Sequence, residues 1–199
     1  MDRQVFRLYW RSHFGPAFGI ACGVFFLGLF ALKDSQLFLP SFTEYANTPL
    51  IGALPMALGI IVGITVWSPV TDYDELPSHR VNTVRSAHPT FVTLVGVLVA
   101  TIAATIVFLS LTAGITYLRL FLFWAGMALF GSAMKYRQLT VIIPLTVFLV
   151  IAFSGYNEQG LPRLFNPHHR ALTDHTAWAL ASSSILLGLI TITTKLRRT

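Results

Sequence analysis

Apolar residues fall in six runs, 17–32, 50–67, 91–109, 115–134, 140–153 and 177–193, and each is close to the length of about 20 residues that crosses a hydrocarbon core. The runs are apolar all round rather than striped, so no face is left for water. Hydrophobic residues make up 54% of the chain and charged residues 11%, with a mean hydropathy of +0.67. Charge that sparse cannot cover a soluble surface. The sequence therefore predicts an all-α membrane protein with about six transmembrane helices, residues 1–199 forming a single transmembrane domain. The third and fourth runs are nearly continuous, and 110–114 (Ser-Leu-Thr-Ala-Gly) is the one plausible turn between them.

Orientation follows from the 14 Lys and Arg. Arg3, Arg7, Arg11, Arg80, Arg85, Lys135, Arg137, Lys195, Arg197 and Arg198 fall on one side of a six-span chain, and Lys33, Arg119, Arg163 and Arg170 on the other. The heavier side is cytoplasmic by the positive-inside rule, so the expectation is a multi-pass protein of the cell membrane with both termini in the cytoplasm. The formal charge of +6 is then explained by topology and by anionic headgroups, and no nucleic-acid partner is expected. Cys22 is the single cysteine, so no disulfide framework is expected, and a small packing residue is the simplest reading of it.

Residues 1–14 precede the first run. At 100° per residue Arg3, Arg7 and Arg11 share a narrow arc, while Val5, Phe6, Leu8, Tyr9 and Trp10 cover most of the remainder. Such a segment predicts an amphipathic interfacial helix, its guanidinium groups on phosphates and Tyr9 and Trp10 at headgroup depth. A topology signal alone explains the three arginines equally well. Lys33, Asp34, Ser35 and Gln36 follow the first run in place of a small-residue cleavage pattern, so that run reads as a span rather than a secretory signal.

The longest inner connection, 68–90, has its charges in order: Asp72, Tyr73, Asp74 and Glu75, then Leu76 and Pro77, then Ser78, His79, Arg80 and, later, Arg85. A short helix capped by Thr71 or Asp72 would place Asp74 and Glu75 near the positive end of its dipole, with Pro77 stopping or bending it. A solvated loop of mixed charge accounts for the polarity but not for the order. The order resembles the inner loop of ABC-2 type transporter permeases, the membrane subunits of a class of ATP-driven exporters. Glu75, Leu76, Pro77, Ser78, Arg80 and Arg85 match that family's acidic stretch, Leu-Pro, small residue and following basic residues. The basic arm, the six spans and the polar outer segment before the last span are similar too. A Gly-Thr within the acidic stretch, usual in the family, is absent here, and the chain is short for the family.

The resemblance implies a function. A dimer of such subunits, either two copies or a copy with a homologue, would form the path for a hydrophobic or amphipathic cargo such as a lipid-like molecule, a peptide or a drug. Cytoplasmic ABC ATPase subunits would supply the work, with ATP and Mg bound on them and no cofactor in this chain. Asp72, Tyr73, Asp74, Glu75, Leu76, Pro77 and Arg80 would form the coupling loop; Arg3, Arg7, Tyr9, Trp10 and Arg11 would form the interfacial arm. The chain has no Gly-rich phosphate loop ending in Lys and Ser or Thr, so ATP binding by the chain itself, and enzymatic activity, are not expected. The rival reading is a non-catalytic structural or assembly subunit of a larger membrane complex.

Three further features draw attention. The outer connection, 154–176, contains His168, His169, Asp174 and His175, a set able to hold zinc or copper in principle. Adjacent histidines rarely point the same way and no helical i, i+4 pair is present, so no metal site is assigned, and Thr173 or Asp174 reads as the cap of the last helix. Arg119 lies about one turn inside the fourth run, where snorkelling to the outer surface is the favoured reading of a lone intramembrane cation. Pro49, Pro55 and Pro144, with Gly52, Gly59 and Gly63, are expected to kink helices or admit close packing.

Overall fold

The structure, a computed structural model, describes residues 15–34, 38–39, 48–66, 79–134, 136–155, 163, 166 and 171–198. Among the described residues six α-helices carry the fold: α1 (Gly15–Leu32), α2 (Ala53–Val66), α3 (His79–Phe108), α4 (Leu111–Ala133), α5 (Leu139–Ser154) and α6 (His175–Arg198). Between α1 and α2 the extended pairs β1 (Phe38–Leu39) and β2 (Thr48–Pro49) lie antiparallel, Phe38 opposite Pro49 and Leu39 opposite Thr48.

Each apolar run lies largely in a helix, and among the described residues three helices are long and apolar enough to cross a bilayer. The apolar parts of α3, α4 and α6, Ala87–Phe108, Leu111–Ala133 and His175–Leu196, are long enough to cross a membrane. Those of α1, α2 and α5 are Phe18–Leu32, Ala53–Val66 and Leu139–Ser154. The expectation of about six transmembrane helices is met in part, by these three. At 14 residues α2 rises about 21 Å, short of the roughly 30 Å core. Its start is cut back because Pro49 belongs to β2 and Leu50–Gly52 form a tighter 3-10 turn. The helical composition, the three long apolar helices and an outward face rich in Ile20, Leu27, Leu94, Leu98, Leu145 and Ile190 suit a membrane protein.

The core sits around α4, which packs against α2, α3, α5 and α6, while α1 leans on α2 and α3. Of the apolar window in α4, 61% is buried, against 39% in α3 and 33% in α6, so α4 is the central post. Phe121, Trp124 and Leu129 on it are wholly buried. Trp124 packs edge-on against Phe123 at 4.8 Å and Phe148 of α5 at 5.9 Å between ring centroids, the edge-to-face geometry favoured by the ring quadrupole. Small residues set the spacing. A Cβ on Gly59 would lie 2.7 Å from the Ala125 nitrogen, and one on Gly126 would collide with the backbone of Ser184 in α6. Without an aqueous driving force between helices, such close backbone approach is how they gain dispersion contacts.

The α3–α4 turn is shorter than 110–114. Leu109 takes φ 49° and Ser110 is the extended N-cap, its hydroxyl accepting from the Ala113 N–H at 3.4 Å. Residues 111–114 are already the first turn of α4. At the other side α3 begins at His79, well inside the 68–90 connection, with Pro89 within the helix.

Candidate functional site

The side chains through which the helices are joined gather at two ends of the bundle. They are called the inner and the outer end after the orientation expected from the Lys and Arg distribution.

At the inner end, Ser132 on the last turn of α4 is fully buried. Its Oγ lies 2.9 Å from the Gly63 carbonyl of α2, 2.9 Å from the Ala128 carbonyl one turn back, and 3.1 Å from Thr140 Oγ1 of α5. A hydroxyl has one proton to give and two lone pairs, so it donates to one carbonyl while the Thr140 hydroxyl is placed to donate to it. Gly63 makes this meeting feasible: a Cβ there would sit 2.7 Å from the Thr140 methyl and 2.9 Å from the Ala128 Cβ. Lys195 of α6 reaches the same spot, its Nζ donating at 3.1 Å to the carbonyls of both Ser132 and Met134. Those carbonyls belong to the C-terminal turn of α4, where helical acceptors have no partner further along and the dipole favours a cation. Two residues beyond Gly63, the Thr65 carbonyl lies 3.3 Å from Nε2 of buried His88 in α3. A chain of polar contacts therefore runs through α3, α2, α4, α5 and α6 within one layer.

This layer borders the inner connection. Val66 ends α2 immediately after Thr65, and α3 resumes at His79. The α2 side of the intervening segment is thus joined to the central post through Gly63 and Ser132, and α3 is joined to α2 through His88 and Thr65. The chemistry available here is that of joints. Hydroxyls and an ammonium are engaged with backbone carbonyls, a set suited to holding helices in register.

At the outer end Arg119 is fully buried rather than extended to the surface, which corrects the snorkelling expectation. Its Nη1 donates to the Ala171 carbonyl at 2.8 Å, and its guanidinium carbon lies 6.0 Å from the centre of the Trp178 ring. A carbonyl dipole and an indole face both favour the cation in an apolar setting. Trp178 Nε1 in turn donates to the Leu172 carbonyl at 2.8 Å. Asp174 caps α6 as expected, Oδ1 accepting from the N–H groups of Thr176 at 2.8 Å and Ala177 at 3.3 Å. A second joint, Ser184 Oγ to the Phe123 carbonyl at 2.8 Å, ties α6 to α4 at mid-length.

The residues assigned from sequence fall largely elsewhere. Arg3, Arg7, Tyr9, Trp10 and Arg11, and Asp72, Tyr73, Asp74, Glu75, Leu76 and Pro77, lie outside the described residues. Arg80 is the second residue of α3, its side chain outside the described set, as are His168 and His169. Sequence reasoning missed Ser132, Thr140, Lys195 and His88. The signal open to it was polar side chains at the edges of apolar runs, where small and hydroxyl residues join helices. No family model, no curated protein and no solved structure matches the chain.

Proposed function

We propose that the chain is the membrane-spanning permease subunit of an ATP-driven exporter, with six crossings, both ends cytoplasmic, and the connection between α2 and α3 as the surface a separate ATPase pushes. The observation that carries the reading is the inner polar layer. With α3 joined to α2 through His88 and Thr65, α2 to α4 through Gly63 and Ser132, and α4 to α5 and α6 through Thr140 and Lys195, a displacement at the connection would pass into all five helices. The ordered charges of 72–85 add to it. For transmission to occur, the ATPase must bind two conformations of the permease with different affinity. A second permease copy or homologue and membrane lipids are the other partners, and the cargo is hydrophobic or amphipathic.

A structural or assembly subunit is the second reading. The filled interior around Trp124, Phe121 and Leu129 favours it, since a packed post offers no path of its own. Tagged chain purified from its native membrane separates the two. The permease reading expects an ATPase bearing a phosphate-binding loop in the eluate, its recovery reduced more than tenfold by Leu76→Asp, because a buried leucine contributes about 1.5 to 3 kcal/mol. Arg80→Glu should weaken association as well. Unchanged recovery and unchanged cargo-stimulated hydrolysis for both variants would falsify the coupling assignment.

A further inference from the structure

We propose that the groove between α1 and α3 is a binding site for one phospholipid of the outer leaflet, with an acyl chain in the groove and the phosphate on the ammonium of Lys33. Cys22 and Phe26 of α1 form one wall and residues 95–106 of α3 the other, with buried Ala103 at the floor and exposed Leu98, Ile102 and Ile106 along the rim. No charged side chain, amide or hydroxyl lines it. Along α3 the groove extends about 16 Å, half of the roughly 30 Å hydrocarbon core and so the depth of one leaflet. The apolar stretch of α3 is Ala87–Phe108, and the groove occupies chiefly the half nearer Phe108. A volume of about 300 Å³ over that length leaves a cross-section of roughly 19 Å², too narrow for a helix about 10 Å across and of the order of a single chain of methylenes.

A cation stands at the outer end of this groove. Leu54 at the start of α2 packs over Gly28 near the end of α1, and Thr65 near the end of α2 meets His88 in α3, so α1 and α3 both run toward the outer end. Lys33 follows the last residue of α1. At 100° per residue it falls between Cys22 and Phe26, about 10 Å beyond Phe26 along the axis. Its ammonium lies 4.8 Å from the centre of the exposed Phe30 ring, one turn past Phe26, and among the described residues it makes no ion pair. An ammonium held on an aromatic face, above an apolar groove one leaflet deep, is complementary to a phosphate diester above its own acyl chain. A neutral lipid, or a second copy of the chain, would cover the groove and leave the cation unused. The site rests on the chain lying in a membrane and not on the exporter reading.

The test uses the full chain, delipidated in detergent and titrated with phosphatidylglycerol, while native mass spectrometry counts the lipid retained and the chains in each particle. No ATPase is present, so failure leaves the exporter reading standing. The expected result is saturable retention of one phosphatidylglycerol per chain, with diacylglycerol of the same chains and glycerophosphoglycerol without chains each bound at least about fivefold more weakly. Lys33→Gln lowers the affinity for phosphatidylglycerol about fivefold and removes its advantage over diacylglycerol. Ile102→Trp, which lays an indole across the groove, lowers the affinity for both lipids about tenfold, while Ile190→Trp on the exposed face of α6 changes neither. Equal retention by wild type, Lys33→Gln and Ile102→Trp overturns the site, as does uptake that rises without saturating. Equal binding of phosphatidylglycerol and diacylglycerol by the wild type overturns the phosphate contact and with it the proposal. A lipid-free dimer that Ile102→Trp dissociates makes a second copy the occupant and overturns it too. If Ile102→Trp loses its helical circular dichroism, Lys33→Gln decides alone.

Discussion

Replacing Lys195 with Met should loosen the inner end of the bundle measurably. The ammonium donates to two carbonyls, those of Ser132 and Met134, at 3.1 Å each, and both belong to the C-terminal turn of α4. A hydrogen bond to a charged donor contributes roughly 1.5 to 3 kcal/mol in water-facing proteins, whereas side-chain bonds between membrane helices average about 0.6 kcal/mol. The site lies at the inner edge of α6, between those regimes, so the loss is about 1 to 2.5 kcal/mol. Met keeps the stem and its packing, which confines the change to the donor. Reversible unfolding in mixed micelles, followed by tryptophan fluorescence, should show a fall in the folding constant of about five- to sixtyfold, since about 1.4 kcal/mol is a factor of ten. Lys195→Arg should recover most of it, as a guanidinium also donates to carbonyls. A Lys195→Met protein as stable as wild type, or one not rescued by Arg, would refute the view that this cation caps the central helix from its neighbour.

Three other outcomes follow from particular residues. Gly126→Ala drives a methyl into the Ser184 backbone, and because backbone cannot rotate away it should cost about 1 to 3 kcal/mol in the same unfolding assay, with loss of the Ser184–Phe123 bond detectable as faster amide exchange near Phe123. Leu109→Gly should stabilise the chain by about 1 kcal/mol, because Leu109 holds φ 49° while almost fully exposed; a fall in stability would show that its side chain matters more than its backbone. Changing Arg3, Arg7 and Arg11 together to Glu should weaken the docking of the arm on anionic vesicles, each basic residue contributing about 1 kcal/mol near such a surface, read as loss of lipid exposure of a fluorophore at position 12.

Much of the secondary structure was legible because it depends on local composition. All six apolar runs became helices, and Asp174 capped α6, since a carboxylate ahead of an apolar run satisfies the first N–H groups whatever lies around it. The break between α3 and α4 was legible too, as Ser110 offers the same kind of cap. The start of α3 was not. Pro89 marks a boundary in a local reading, yet the helix runs through it, with Pro89 buried in the packing against its neighbours.

What the sequence determined by itself was that the chain is helical and apolar enough for a membrane, because hydropathy is additive along the chain and needs no neighbour. The tertiary structure alone decided which helix is central and where the polar residues meet. Ser132 finds Gly63, 69 positions away, and Lys195 finds Ser132, 63 positions away. In helices apolar on every side no stripe points to a partner, so the choice falls to the small residues Gly59, Gly63 and Gly126, whose missing side chains let backbones approach. Arg119 follows the same logic. Its charge is visible in the sequence, but its burial depends on Ala171 and Trp178 lying against α4, and only packing in three dimensions fixes that.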